Sequence, residues 1–193
     1  MPFFDRLYEL IMTLINYMGI YGPLLGCVLI CVESIIPVLP LSVFITINFI
    51  SFGSLWGFLI SWLFTILGCS LSFFLFRHYL RDWFVKKTKD TNKVRKLIRI
   101  VEKAKFQNIV LFLAIPFTPA FLVNIAASLS NISYKKFFYV ILISKVFLVY
   151  FWGYVGTTLL ESFIHPEALV KVILISIIAY VLSLLINKKL KLD

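Results

Sequence analysis

Acid is the scarcest chemistry in this chain. Nine Asp and Glu stand against nineteen Lys and Arg among 193 residues, for a net charge of +10. Charged residues of both signs make up 15% of the chain, where a soluble domain carries about a quarter. So few charges exclude a soluble globular enzyme and a disordered tail. Cysteine occurs three times, at Cys27, Cys31 and Cys69, always inside apolar runs, which excludes a disulfide scaffold. Cys27 and Cys31 share a helix face but have no nearby His or acid, so all three read as packing residues and no metal is expected. Histidine occurs twice, at His78 and His165, neither beside a nucleophile or carboxylate constellation, so neither an enzyme nor a cofactor is expected. No Gly-x-x-x-x-Gly-Lys-Ser/Thr run is present, which removes the phosphate-loop route to nucleotide energy.

What is present is apolar: 61% of residues are hydrophobic and 17% aromatic. Leu10 to Val32, Leu41 to Phe76, Phe106 to Tyr134 and Val172 to Asn187 carry no charge, and Phe137 to Leu160 carries only Lys145. A helix needs about 20 apolar residues to cross the hydrocarbon. The runs do not alternate apolar with polar, which argues against a β-barrel. The fold class is therefore an all-α polytopic membrane protein. Met1 is followed by Pro2, Phe3, Phe4 and Asp5, without a basic start or a small-residue cleavage site, so the first apolar stretch is expected to stay in the protein.

Two apolar stretches are broken by Pro-x-x-Pro, at Pro37 and Pro40 and again at Pro116 and Pro119, 79 residues apart. Proline removes a backbone donor and crowds the preceding turn, so a straight helix through two of them is disfavoured. A kinked spanning helix is the simpler alternative. Two matching breaks, each followed by a longer apolar helix, point to two oppositely oriented re-entrant helical hairpins in an inverted repeat. That architecture suits a secondary transporter with its site where the hairpin tips meet. The expected organisation is one membrane domain: an N-terminal helix at 1–18, a re-entrant hairpin at 20–53, a transmembrane helix at 54–77, a basic cytoplasmic loop at 78–105, a second hairpin at 106–133, and transmembrane helices at 136–160 and 167–187. Arg77 to Lys105 holds eleven basic and three acidic residues. Basic loops stay cytoplasmic, which explains the positive charge without nucleic acid. It also places the Lys188, Lys189 and Lys191 end inside, as in a bacterial cytoplasmic membrane.

Glu33 leads the candidates, because an acid within a span is a functional hypothesis by default. It is expected to bind and release a proton. Lys145 is the one base deep in an apolar helix and offers a positive charge to an anionic lipid. Either residue also reads as half of a structural ion pair, and Lys145 as a snorkelling side chain. Ser42, Asn48 and Asn124 complete the expected proton and substrate pathway. Pro37, Pro40, Pro116, Thr118 and Pro119 form the hairpin tips, where free helix N-terminal donors can receive a phosphate. The polar tip residues equally suit the repair of broken backbone. Arg77 ends a span, either contacting headgroups or anchoring topology. Trp56, Trp62, Trp83 and Trp152 read as interface or packing residues.

Glu33-Ser34 ahead of Pro37 and Pro40, then Phe52-Gly53, Gly57, Gly68, Phe73 and Arg77, with Pro116, Pro119, Asn124 and Ala126-Ala127, resemble the DedA family of the SNARE-associated Golgi protein (VTT-domain) superfamily. The resemblance covers roughly residues 20–160. It implies two facing re-entrant hairpins and movement of phospholipid or undecaprenyl phosphate across the bilayer, in several cases linked to the proton gradient. The chain departs from the pattern at Leu113 and Pro119, where members often carry Arg, at Ser42, where many have an acid, and at Ser128, where Gly is common. The expected function is therefore a lipid translocator, a flippase or scramblase. The expected partners are membrane lipids and protons. A non-transporting scaffold or a lipid-modifying enzyme is the alternative.

Overall fold

The computed structural model describes residues 21–36, 40–79, 91–118 and 120–189. The N-terminal helix expected at 1–18, together with Pro37, Pro119 and Trp83, lies outside them. The described residues form helices and turns, with no strand. The helices are α1 (Tyr21–Ile35), α2 (Leu41–His78), α3 (Thr91–Lys103), α4 (Phe106–Ala114), α5 (Ala120–Leu129), α6 (Tyr134–Glu161) and α7 (Glu167–Lys189). Three stretches are long and apolar enough to cross a membrane: Leu41–His78, Tyr134–Glu161 and Glu167–Ile186.

Straight, the 38 residues of α2 would run roughly 57 Å, well beyond the ~30 Å of hydrocarbon. They are not straight. Gly53 interrupts the helix at φ 76°, ψ 169°, a region essentially reserved for glycine. The chain folds back there, as two contacts show. A Cβ at Gly57 would lie 2.6 Å from the Asn48 carbonyl oxygen and from the Phe49 Cα, and Asn48 Nδ2 donates to Ser61 Oγ at 3.0 Å. Residues nine and thirteen apart on one straight helix would be far from touching.

The α1 helix packs along both pieces. Its Gly26 faces the Asn48 side chain, and its Cys31 and Ser34 press on Gly68, where a Cβ would sit 2.7 Å from Ser34 Oγ. Ser34, near the end of α1, is thus level with Gly68, about 15 Å short of the α2 C-terminus at His78.

The two glycines differ in a measurable way. Space around Gly53 is open, so Gly53→Ala and Gly53→Leu should lower stability by a similar amount, about 1–3 kcal/mol of backbone strain. At Gly57 the obstacle is backbone, so the loss should grow with side-chain size and exceed the 1–3 kcal/mol of ordinary overpacking for Gly57→Val. Melting temperatures of the four variants in one detergent would separate the cases. Equal losses for Gly57→Ala and Gly57→Val would contradict the close approach.

The second half repeats the motif of short helix, break, short helix, long helix. The α4 helix is followed by a break at 115–118, and α5 leads through Ser130–Ser133 into α6, where Ser133 Oγ accepts from the Lys136 amide. Phe73 of α2 stacks on Phe137 of α6 at 4.5 Å, in a core with Phe112, Leu113 and Ile141. A second cluster joins Ile30, Ile45, Phe49 and Val149. Trp62 Nε1 donates to the Leu142 carbonyl at 3.1 Å, so this tryptophan packs between helices.

The segment read as a basic loop at 78–105 contains a helix. In α3, Leu97, Ile98 and Val101 recur at helical spacing among Lys96, Arg99, Glu102 and Lys103, and Val101 is buried against Ile109, Phe112 and Val123. The charge count hid the 3.6-residue period. Glu102 accepts from the Asn131 amide and side chain, both at 3.0 Å, and ties α3 to the end of α5. By contrast, α7 leaves Val170, Ile173, Leu174, Ile177, Ile178 and Val181 exposed. So large an apolar surface belongs in contact with lipid or another chain.

Candidate functional site

Residues flanking both chain breaks line one cavity of about 190 Å³. Glu33, Ser34 and Leu41 come from the first break, and Phe117, Thr118 and Ala120 from the second. Thr65 and Cys69 of α2, Asn124 of α5, and Lys145, Leu148 and Trp152 of α6 close the wall. Four sequence candidates, Glu33, Lys145, Thr118 and Asn124, therefore meet at one place, although up to 112 positions separate them.

Glu33 is half-buried, and Lys145 is 3% exposed. The ammonium of Lys145 is close enough to act electrostatically on Glu33. The two form no direct salt bridge. An ammonium on an apolar helix is costly unless opposed, and Glu33, from the other half of the chain, brings an opposing charge to the same cavity wall. Around this pair the hydroxyls repair backbone. Thr118 Oγ1 donates to the Phe112 and Ile115 carbonyls, both at 2.8 Å. Ser34 Oγ donates to Ile30 at 3.0 Å and Thr65 Oγ1 to Ser61 at 2.7 Å. Asn124 Nδ2 donates to Cys69 Sγ at 3.5 Å, while its Oδ1 has no hydrogen-bond partner among the described residues. An acid, a base and an amide thus remain on the cavity wall to recognise a polar group.

The second break is sharp. Pro116 lies in the turn, and Phe117 follows at φ 65°, the left-handed region that bulky residues rarely occupy. Pro40 precedes α2 at φ −77°, ψ 93°, a conformation its ring favours.

Other candidates lie elsewhere. Ser42 is not on the cavity; its neighbour Leu41 is, and the Ser42 carbonyl accepts from Thr46 Oγ1 at 2.7 Å. Asn48 is fully buried between α1 and the two pieces of α2. Arg77, read as a headgroup contact or an anchor, turns its guanidinium onto protein carbonyls. Nε donates to Ser128 at 3.0 Å, and Nη2 to Ser130 at 2.7 Å, Ile132 at 2.8 Å and Ala127 at 3.3 Å.

Sequence reasoning missed Thr65, Cys69, Phe117, Leu148 and Trp152. A signal existed for the first two. Ser61, Thr65, Gly68, Cys69 and Ser72 recur on one face of α2 and are all buried, the pattern of small residues where membrane helices approach closely. Nothing distinguishes Phe117 among twenty phenylalanines. Among the described residues no group of three or more His, Cys, Asp or Glu is placed to hold a metal.

Residues 39–158 match the VTT domain family model. The chain is 32% identical over 162 residues to the uncharacterized membrane protein YhjE of Bacillus subtilis (strain 168), covering 83% of this chain and 78% of that one. It is 29% identical over 128 residues to the uncharacterized protein YqeD of the same organism, covering 66% and 62% of the two chains. No solved structure matches. The match takes in α2 through most of α6, and with it both long helices that wall the cavity, so this chain belongs to the VTT-domain, or DedA, family of membrane proteins.

Proposed function

We propose that this protein is a lipid translocator, a flippase or scramblase. It moves the headgroup of a phospholipid, or of a polyprenyl phosphate such as undecaprenyl phosphate, through the Glu33–Lys145 cavity while the tails stay in the bilayer. The observation that carries the reading is the joint one: both chain breaks open onto a single cavity that holds an acid and a base. A scaffold needs neither. The family match and the relatives' names indicate no enzymatic family.

In this reading the two breaks are tips of re-entrant hairpins entering from opposite faces. Three features support it. Ser34, near the end of α1, lies level with Gly68, short of the end of α2. The second tip contacts Trp152, about two-thirds of the way along α6 and well inside its ends. Arg77 bonds to carbonyls at 127–132, which puts the end of α2 beside the mouth of the second hairpin, whereas the first hairpin closes at Gly53, the opposite end of the same helix. Lys145 receives the phosphate, and Glu33 exchanges a proton during the cycle. The bases at Arg77, Lys135, Lys136 and Lys188 fall at ends assigned to the cytoplasm of a bacterial cell, the acids Glu161 and Glu167 outside.

Purified protein in liposomes, with fluorescent-acyl phospholipid as reporter and a membrane-impermeant quencher outside, tests this directly. Bleaching should proceed beyond the outer-leaflet fraction within minutes. Bleaching that stops at that fraction points to a scaffold, and a chemically altered lipid to an enzyme.

A further inference from the structure

A second compartment lies next to the polar cavity and has no part in the scheme above. Val146, Phe147, Tyr150, Phe151 and Tyr154 of α6 form, with Ile175 of α7, an apolar groove of about 520 Å³. That lies within the usual 300–1,000 Å³ of a ligand pocket. Phe147 and Tyr150 are well exposed, so one side opens to whatever surrounds the spans.

The two compartments share a wall. Phe151 lines the groove and its neighbour Trp152 lines the cavity, their rings 5.2 Å apart. The Phe117 ring, from the turn of the second break, stands edge-on to both, at 6.2 Å from Phe151 and 5.4 Å from Trp152, and reaches Tyr180 of α7 at 6.1 Å. Three aromatic rings, Phe117, Phe151 and Trp152, thus stand between a polar cavity and an apolar groove, and Phe117 is the one carried by a turn rather than by a spanning helix. Its backbone sits at φ 65°, a conformation that persists only where surrounding contacts hold it.

We propose that the groove between α6 and α7 binds one acyl chain of a glycerophospholipid whose headgroup reaches the Glu33–Lys145 cavity, with Phe117 as the movable partition between them. The occupant follows from the lining and the continuity. Aromatic and aliphatic walls on two membrane spans meet hydrocarbon, and a molecule polar at one end and apolar at the other is the one that fits both compartments. The groove extends from Val146 to Tyr154, about 12 Å along the helix. That suits part of a fatty-acyl chain and falls far short of a polyprenyl tail. The proposal rests on the translocator reading for the headgroup's destination, but not for the chain's.

Full-length protein in phosphatidylcholine vesicles, doped with phosphatidylethanolamine carrying a photoactivatable diazirine on one acyl chain, tests the site. After illumination and digestion, adducts should be enriched several-fold on residues 146–154 and 175 over other lipid-exposed positions such as Val170 and Ile178. Ile175→Trp, which fills the groove, should remove that enrichment and leave adducts at the other positions unchanged. A headgroup-labelled lipid should mark Thr118, Lys145 or Trp152, and Phe117→Ala should raise that yield several-fold. Label spread evenly over α6 and α7 overturns the chain site, and so do α7-to-α7 crosslinks that map a second copy into the groove. Headgroup label absent from the cavity overturns the continuity. Enriched groove label without reporter bleaching leaves the site standing and removes translocation; bleaching with evenly spread label does the reverse.

Discussion

Glu33→Gln should abolish lipid translocation and destabilise the protein, and the double variant Glu33→Gln/Lys145→Met should regain stability without regaining transport. The two groups differ in burial. Lys145 is almost wholly enclosed, whereas Glu33 is half-buried. Removing the acid leaves the ammonium without the opposing charge on the cavity wall, and because the two form no direct salt bridge the loss should fall below the roughly 3–5 kcal/mol of a broken buried pair. Removing the base leaves a carboxylate with partial access to the cavity, so Lys145→Met should be the milder of the two in stability. In the double variant neither charge remains to be opposed, and a coupling of about 1–3 kcal/mol should appear in the cycle. In the proposed cycle translocation needs the charges themselves. Reporter bleaching should stay at the outer-leaflet fraction in all three variants, at matched protein incorporation and across a range of imposed proton gradients. Full transport by the double variant would leave the pair with a structural role alone and remove both residues from the mechanism.

Glu33 and Lys145 were legible in the sequence because a charge inside an apolar run is visible against its background. Pro-x-x-Pro marked both breaks, because proline acts on its own local backbone. Contacts made through the fold were not legible. Asn48, eight positions past Pro40, read as part of the proton and substrate pathway. The reversal at Gly53 sends it instead to Ser61 and to the flank of Gly57, and no local pattern announces the destination of a folded-back segment. The α3 helix was hidden by its own charges, which outnumber Leu97, Ile98 and Val101 and mask their helical spacing. Phe117 had no signal at all. Its position rests on a left-handed backbone and three ring contacts that exist only once α6 and α7 are in place.

Arg77→Ala should lower stability by about 3 kcal/mol or more, and Arg77→Lys should recover less than half of that. Hydrogen bonds from a charged donor contribute about 1.5–3 kcal/mol each, and Arg77 makes four of them, so solvent access and non-additivity must already reduce the sum. The acceptors are the carbonyls of Ala127, Ser128, Ser130 and Ile132, at the end of α5 and in the turn into α6, where a helix leaves its last carbonyls unpaired. The guanidinium also lies 4.2 Å from the centroid of Phe73, which stacks on Phe137 of α6. One planar group thus joins α2, α5 and α6. Lysine offers a single ammonium at the end of a flexible stem, without the fork that serves several carbonyls at once and without a flat face for the ring. The measurement is thermal unfolding in detergent, paired with reporter bleaching at a temperature where every variant is folded. Transport should survive there in Arg77→Ala. A variant that melts like the parent yet moves no lipid would mean instead that the guanidinium leaves its carbonyls to meet a headgroup, and the clamp would be a resting state of the transport path.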